Sequence, residues 1–181
     1  CRSFITLDCI KSCSGIWIEG NVEWGTVKAP QGLGVYKKTE DTEDGIIEHY
    51  TFVNESEKDI FTSRKDIAIY TPFNDDYKNS KTCVTNRCHT HIWCGEDVSY
   101  VMALRMGGEA PHLGLILLEG ALCGYSVERD FARMSNDRGD FLLHPVPLAL
   151  APGESYRISW RLFPHKGKDD FYRKIKKYNP R

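Results

Sequence analysis

The sequence predicts an all-β fold, an antiparallel β-sandwich or barrel, followed by a C-terminal helix. Three observations carry that expectation. Up to about residue 163 the chain is a succession of short runs rich in β-branched and aromatic residues, each bounded by Gly, Asn, Asp or Pro. No run before residue 165 holds a helical period over several turns. The segment that does hold one, GKDDFYRKIKKYNPR, stands at the end.

In order, the runs are FITLDCI, GIWIEG, VEWGTV, GLGVYKK and IIEHYTFVN, then DIAIYTPF, HTHIWC, SYVMALRM, LGLILLEG, LCGYSVE, DFLLHP and SYRISWRLF. About a dozen runs at such short spacing belong to an antiparallel sandwich or barrel. KTEDTEDG at 38–45 reads as a solvated hairpin loop, since a dense mixed-charge run keeps to water. TPFNDDYKN (71–79) and SNDRGDF (135–141) read as loops whose Asn and Asp side chains cap the backbone. Neither has the D-x-[DN]-x-[DN]-G pattern of a calcium loop. Arg138-Gly139-Asp140 reads as a hairpin closure with Gly139 at positive φ, not as an adhesive motif. At the end, Asp169 or Asp170 is the expected helix N-cap. Phe171, Ile175 and Tyr178 form an apolar stripe at spacings of four and three, and Pro180 stops the segment. The expected organisation is a β-sandwich domain over 1–165 and, over 166–181, a helix or the start of an interdomain linker.

Composition narrows the function classes. With 181 residues, 24 basic against 25 acidic side chains and a net charge of -1, the chain offers no broad attraction to nucleic acid or to an anionic membrane. Its longest apolar runs, such as Leu113 to Leu118, fall far short of the roughly 20 residues that span a bilayer. Seven cysteines are an odd number, so at least one thiol is unpaired within the chain. Reduced thiols favour a cytoplasmic location, with secretion left open. The first residue is Cys1 and not Met, which reads as a piece trimmed from something longer. A lipidated leading cysteine would be followed by a polar tether, where RSFITLD reads as a strand. The single sequon Asn54-Glu55-Ser56 decides nothing.

The most loaded stretch is CHTHIWC, residues 88–94. In a strand, side chains alternate, so His89, His91 and Trp93 share one face and Cys88, Thr90, Ile92 and Cys94 the other. A mixed His/Cys zinc site would need that strand broken. His89 and His91 alone suit one ion if a third ligand comes from His49, His112, His144 or His165. The plainer reading has both histidines bonding neighbouring strands, and neither a metal nor any other cofactor is expected. A third reading is a saccharide surface, a Trp plate rimmed by hydrogen-bonding groups. For Trp93 itself, a place in the core is the expectation. The expected ligand-binding set is His89, His91, Trp93 and Arg105, with Asp137 and Arg138 from a loop. Carboxylate pairs such as Glu109 and Asp137 have no readable separation. The chain carries no G-x-S-x-G, P-loop, G-x-G-x-x-G or H-E-x-x-H motif. No catalytic residue is expected in it.

ALAPGESYRISWRLFPHKGKDDFYRKI (149–175) has an apolar strand, P-G-E-S, then an alternating strand ending in W-x-L-F. This resembles the closing strands of galactose-mutarotase-like β-supersandwich domains. HYTFVNESEKDIFTSRKDIAIYTPFND (49–75) is similar to a strand pair of such sandwiches, with an Asn turn between. The resemblance implies a domain that precedes an (α/α) barrel in bacterial glycoside hydrolases and phosphorylases, with DDFYRKIKKY where the linker begins. The catalytic acid and base then lie in the barrel, so none is carried onto this chain. A mutarotase proper would need a sugar-binding His pair and a Glu base; His89 or His91 answers the first and no Glu completes the second. The implied role is a non-catalytic N-terminal accessory domain of a bacterial carbohydrate-processing protein, with a following catalytic domain and a saccharide as partners. An accessory domain would expose an apolar patch where its partner belongs. Two alternatives stay open. A stand-alone carbohydrate-binding module would expose Trp17, Trp24 or Trp93, and a small metal-dependent sugar enzyme would bring His89 and His91 onto a third ligand.

Overall fold

The computed structural model describes residues 15–18, 21–23, 32–64, 66–71, 79–81, 88–96, 98–129 and 139–178. Their strands are β1 (Gly15–Ile18), β2 (Asn21–Glu23), β3 (Leu33–Thr42), β4 (Gly45–Asn54), β5 (Ile60–Phe61), β6 (Ile67–Thr71) and β7 (Cys88–Cys94). After these come β8 (Ser99–Arg105), β9 (His112–Glu119), β10 (Leu122–Arg129), β11 (Gly139–Pro145), β12 (Ala149–Leu150) and β13 (Ser155–His165), and then helix α1 (Lys168–Ile175). All the pairings are antiparallel. A six-stranded sheet runs β3-β4-β13-β9-β8-β7, a five-stranded one β10-β11-β6-β1-β2, and β12 pairs with β5. The fold is an all-β sandwich with a C-terminal helix.

The core lies where the sheets face each other. Tyr50, Phe52, Val101, Leu113, Leu115, Ile158, Trp160 and Leu162 from the six-stranded sheet pack with Ile67, Leu122 and Leu143 from the five-stranded one. Trp160 stacks on Tyr50 with ring centres 5.1 Å apart, and its indole N–H donates to buried Glu48 at 3.1 Å. Lys37 answers the charge of Glu48 at 2.9 Å. Asn54 ends β4 with its side chain buried. Its amide donates to the carbonyls of Lys58 and Leu150, and its oxygen accepts from the N–H and hydroxyl of Ser56. The expected Asn turn is therefore a small hydrogen-bonded knot, satisfying backbone groups that a turn would otherwise bury unpaired.

Three local expectations change. The charged run at 38–45 is strand through Thr42, and Thr42 pairs with Gly45, so only Glu43 and Asp44 turn. β3 is a sheet edge among the described residues, and edge strands tolerate exposed charge that blunts unwanted pairing. Gly45 permits the tight return, since a Cβ there would stand 2.2 Å from the Leu162 carbonyl. Gly139 lies in strand, paired with Arg129, rather than in the turn. The helix N-cap is Gly167 at φ 145°, a backbone that glycine adopts readily, which sets Asp169 and Asp170 in the first turn instead. From there the Asp170 carboxylate reaches back and accepts the Lys166 N–H at 2.8 Å, doing from inside what a cap does from outside.

Candidate functional site

The outer face of the six-stranded sheet, turned away from the sandwich core, carries His89, His91 and Trp93 of the expected set, together with groups that were not expected. Register places side chains in rows across it. His91 stands level with Met102, Gly114 and Phe163, while Trp93 stands level with Tyr100, Ile116, Arg161, Ile47 and Glu40. Helix α1 lies over the middle of these rows. Phe171 and Ile175 are buried against Met102, Ile116 and Phe163, with Tyr100, Leu104 and Leu118 around them. Gly114 makes this seat possible, since a Cβ there would meet the Phe163 and Phe171 rings at 2.7 and 2.8 Å.

To one side of the helix, the β7 strand keeps His89, His91 and Trp93 in water while Cys88, Ile92 and Cys94 turn toward the core. The alternation expected for 88–94 is the one observed. Trp93, however, is not a core residue: it is 56% exposed. The reason is position, since β7 ends the sheet among the described residues and α1 stops short of its outer row. Tyr100 and Tyr172 continue the aromatic surface, their rings 6.1 Å apart and edge to face. Burial, then the hydroxyl of Tyr172, push the Tyr100 phenol up to about 12. Arg105 pairs with Cys88 in the register and so belongs to the opposite face from His89, His91 and Trp93. Its backbone N–H donates to His112 Nδ1 at 3.0 Å. Asp137 and Arg138 lie outside the described residues.

The four histidines considered as third ligands stand elsewhere. His49 bonds Ser159 and Arg157, and His144 bonds Ser126 and the Ile67 carbonyl. His112 and His165 meet with ring centres 5.3 Å apart and planes tilted by 42°, both buried. Burial pulls both below the ordinary histidine value; for His112 the neighbouring His165 and Arg105 add to the effect. Among the described residues, no three His, Cys, Asp or Glu side chains gather as a metal site would require.

To the other side of the helix the face is charged. Ser159 donates to Glu119 at 3.1 Å, Arg157 pairs with the same carboxylate at 3.1 Å, and His49 joins both Ser159 and Arg157 at 2.8 Å. Farther along, Arg161 is 7% exposed and paired with Asp44, whose second oxygen takes Lys174 at 2.9 Å. Desolvation works against the Asp44 charge, yet these two cations outweigh it and hold the carboxyl below its usual value. A cleft of about 520 Å³ opens there, lined by Thr42, Glu43, Asp44, Arg161, Lys174 and Lys177 among others. Sequence reasoning missed this side entirely. Its partners lie far apart in the chain, 110 residues for His49 and Ser159 and 130 for Asp44 and Lys174. No local spacing announces such pairs.

No protein-family model matches the sequence, and the comparison with curated proteins found no match. Among solved structures the chain is similar to a polysaccharide lyase, with a TM-score of 0.75 and 38% sequence identity over 83% of this chain. The chain spans 22% of the length of that lyase.

Proposed function

We propose that this chain is a non-catalytic accessory β-sandwich domain of a longer carbohydrate-processing protein of the polysaccharide lyase kind. In this reading it braces a separate catalytic domain and reaches saccharide with its outer sheet face. The observation that carries it is the match to the lyase, high over this chain and limited to about a fifth of the lyase's length. Identity of 38% supports more than a shared sandwich, and the lyase comparison favours eliminative over hydrolytic chemistry in the parent protein. The finer type, a galactose-mutarotase-like sandwich placed ahead of its catalytic domain, is part of this proposal. Exposed Trp93 and Tyr172 with half-buried Tyr100 and Leu104 support a contact role for the face around α1.

The test compares this chain with the longer polypeptide that carries it on a panel of polysaccharides. Elimination leaves a carbon–carbon double bond conjugated to a carboxyl group, which ultraviolet absorbance follows directly. Cleavage by the long form and none by this chain is the expected result, together with a lower melting temperature when these residues are deleted from the long form. Turnover by this chain alone would overturn the accessory reading. A second reading, a self-sufficient carbohydrate-binding module, is favoured by one observation, the 56% exposure of Trp93 beside exposed His91.

A further inference from the structure

The cleft between the β3–β4 turn and α1 is lined by more cations than carboxylates. Four cations line it, Arg161, Arg173, Lys174 and Lys177, against two carboxylates, Glu43 and Asp44. Asp44 is already satisfied twice, by Arg161 and by Lys174. Arg173 is taken by Asp170 from its own helix, though its side chain remains 75% exposed. The Lys177 ammonium lies 4.9 Å over the Tyr178 ring and has no carboxylate partner among the described residues. The Thr42 hydroxyl, also in the wall, is buried without a hydrogen-bond partner among the described residues. Basic residues in the last turn of a helix complement its dipole, which explains why Arg173 and Lys174 sit well there. It does not explain Arg161, which comes from the sheet and is buried beneath the cleft.

We propose that this cleft binds the anionic group, carboxylate or sulfate, of an acidic saccharide. The saccharide half of the proposal rests on the carbohydrate reading above; the anionic half rests on the cleft alone. Arg161 is held as a fixed wall, its guanidinium carbon 5.2 Å from the Phe163 ring centre and 6.0 Å from that of Tyr178. A guanidinium so placed presents its remaining N–H groups in the planar fork that suits a carboxylate or sulfate. Lys174 is fixed as well, by Asp44 and by the Pro164 carbonyl at 2.8 Å. Lys177 and Arg173 supply exposed charge at the rim. The volume of about 520 Å³ accommodates a sugar unit. Half-buried Tyr178, also in the lining, adds an aromatic edge for the CH groups of the sugar.

The experiment is a titration of the labelled 181-residue chain followed by its backbone amide resonances. Three probes are added separately: a galacturonate trisaccharide, a neutral galactose trisaccharide and inorganic sulfate. The acidic trisaccharide should shift residues 42–47, 161 and 173–178, bind at least tenfold tighter than the neutral one, and weaken as salt rises. Sulfate should compete for the same residues. Arg173→Gln with Lys177→Gln should weaken the acidic trisaccharide by about tenfold or more, each lost charge contact being worth a several-fold change in affinity. Both side chains stand at the rim; should the double variant disturb the helix resonances, Lys177→Gln alone serves. Equal binding of acidic and neutral trisaccharides overturns the proposal. Shifts confined to residues 89–93 overturn it while leaving the carbohydrate reading in place. Sulfate binding with no response to either trisaccharide overturns the saccharide assignment and counts against that wider reading too.

Discussion

Replacing Phe171 by Ala removes the main anchor of α1. The ring is fully buried, stacked on Phe163 with centres 5.7 Å apart, and touched from other sides by Tyr100 at 5.5 Å and His165 at 5.2 Å. Truncating a buried phenylalanine to alanine costs about 3–5 kcal/mol through lost transfer energy and the cavity left behind. In a chain of this size that corresponds to a fall of about 6–20 °C in melting temperature. The location adds a second consequence. A helix of eight residues is too short to persist without its packing, and Ile175 is the other buried residue α1 contributes. Hydrogen exchange at the α1 amides should therefore accelerate far more than exchange in β13. Tyr172→Ala, a larger deletion at a 41% exposed position, should cost about 1 kcal/mol or less. The reasoning is refuted if Phe171→Ala costs under about 1 kcal/mol and the α1 amides remain as protected as the sheet.

Three further outcomes are expected. His112 and His165 are held below the ordinary histidine value in the folded state, so below about pH 6.5 the unfolded chain takes up protons that the folded one resists. Stability should thus be full above that value and fall as pH drops through it, measured as urea midpoints from about pH 7.5 to about 5; His165→Gln should flatten the fall, and a flat wild-type profile would refute buried neutral histidines. Asn54→Ala strips partners from the Lys58 and Leu150 carbonyls and from the Ser56 N–H, and should cost about 2–4 kcal/mol in urea unfolding. Trp93→Ala should change stability by only about 0.5–1 kcal/mol while weakening any saccharide held by the β7 row; a loss of several kcal/mol in a thermal melt would show that the indole is packed after all.

Much of the fold was legible in local pattern. The alternation of CHTHIWC assigned every side chain of β7 to its observed face, because a strand's period of two leaves no other choice. Phe171 and Ile175 were readable as the buried stripe of α1 for the corresponding reason at a period near 3.6. The extent of β3 was misread because a run of charges looks like a loop when edge and centre of a sheet are not yet distinguished. Trp93 was misplaced for a related cause: alternation gives the side of a strand, and what covers that side comes from another part of the chain.

The sequence by itself determined the all-β class, the strand rhythm, the terminal helix and its apolar stripe, since each depends on contacts within a few residues or on one repeating period. Tertiary structure alone decided which histidines meet, that Arg105 faces away from His89 and His91, and that Asp44, Arg161 and Lys174 converge on one cleft. Those facts follow from strand order and register across the sheet. Charges separated by more than a hundred residues become neighbours there, and nothing in the residues between them records the meeting.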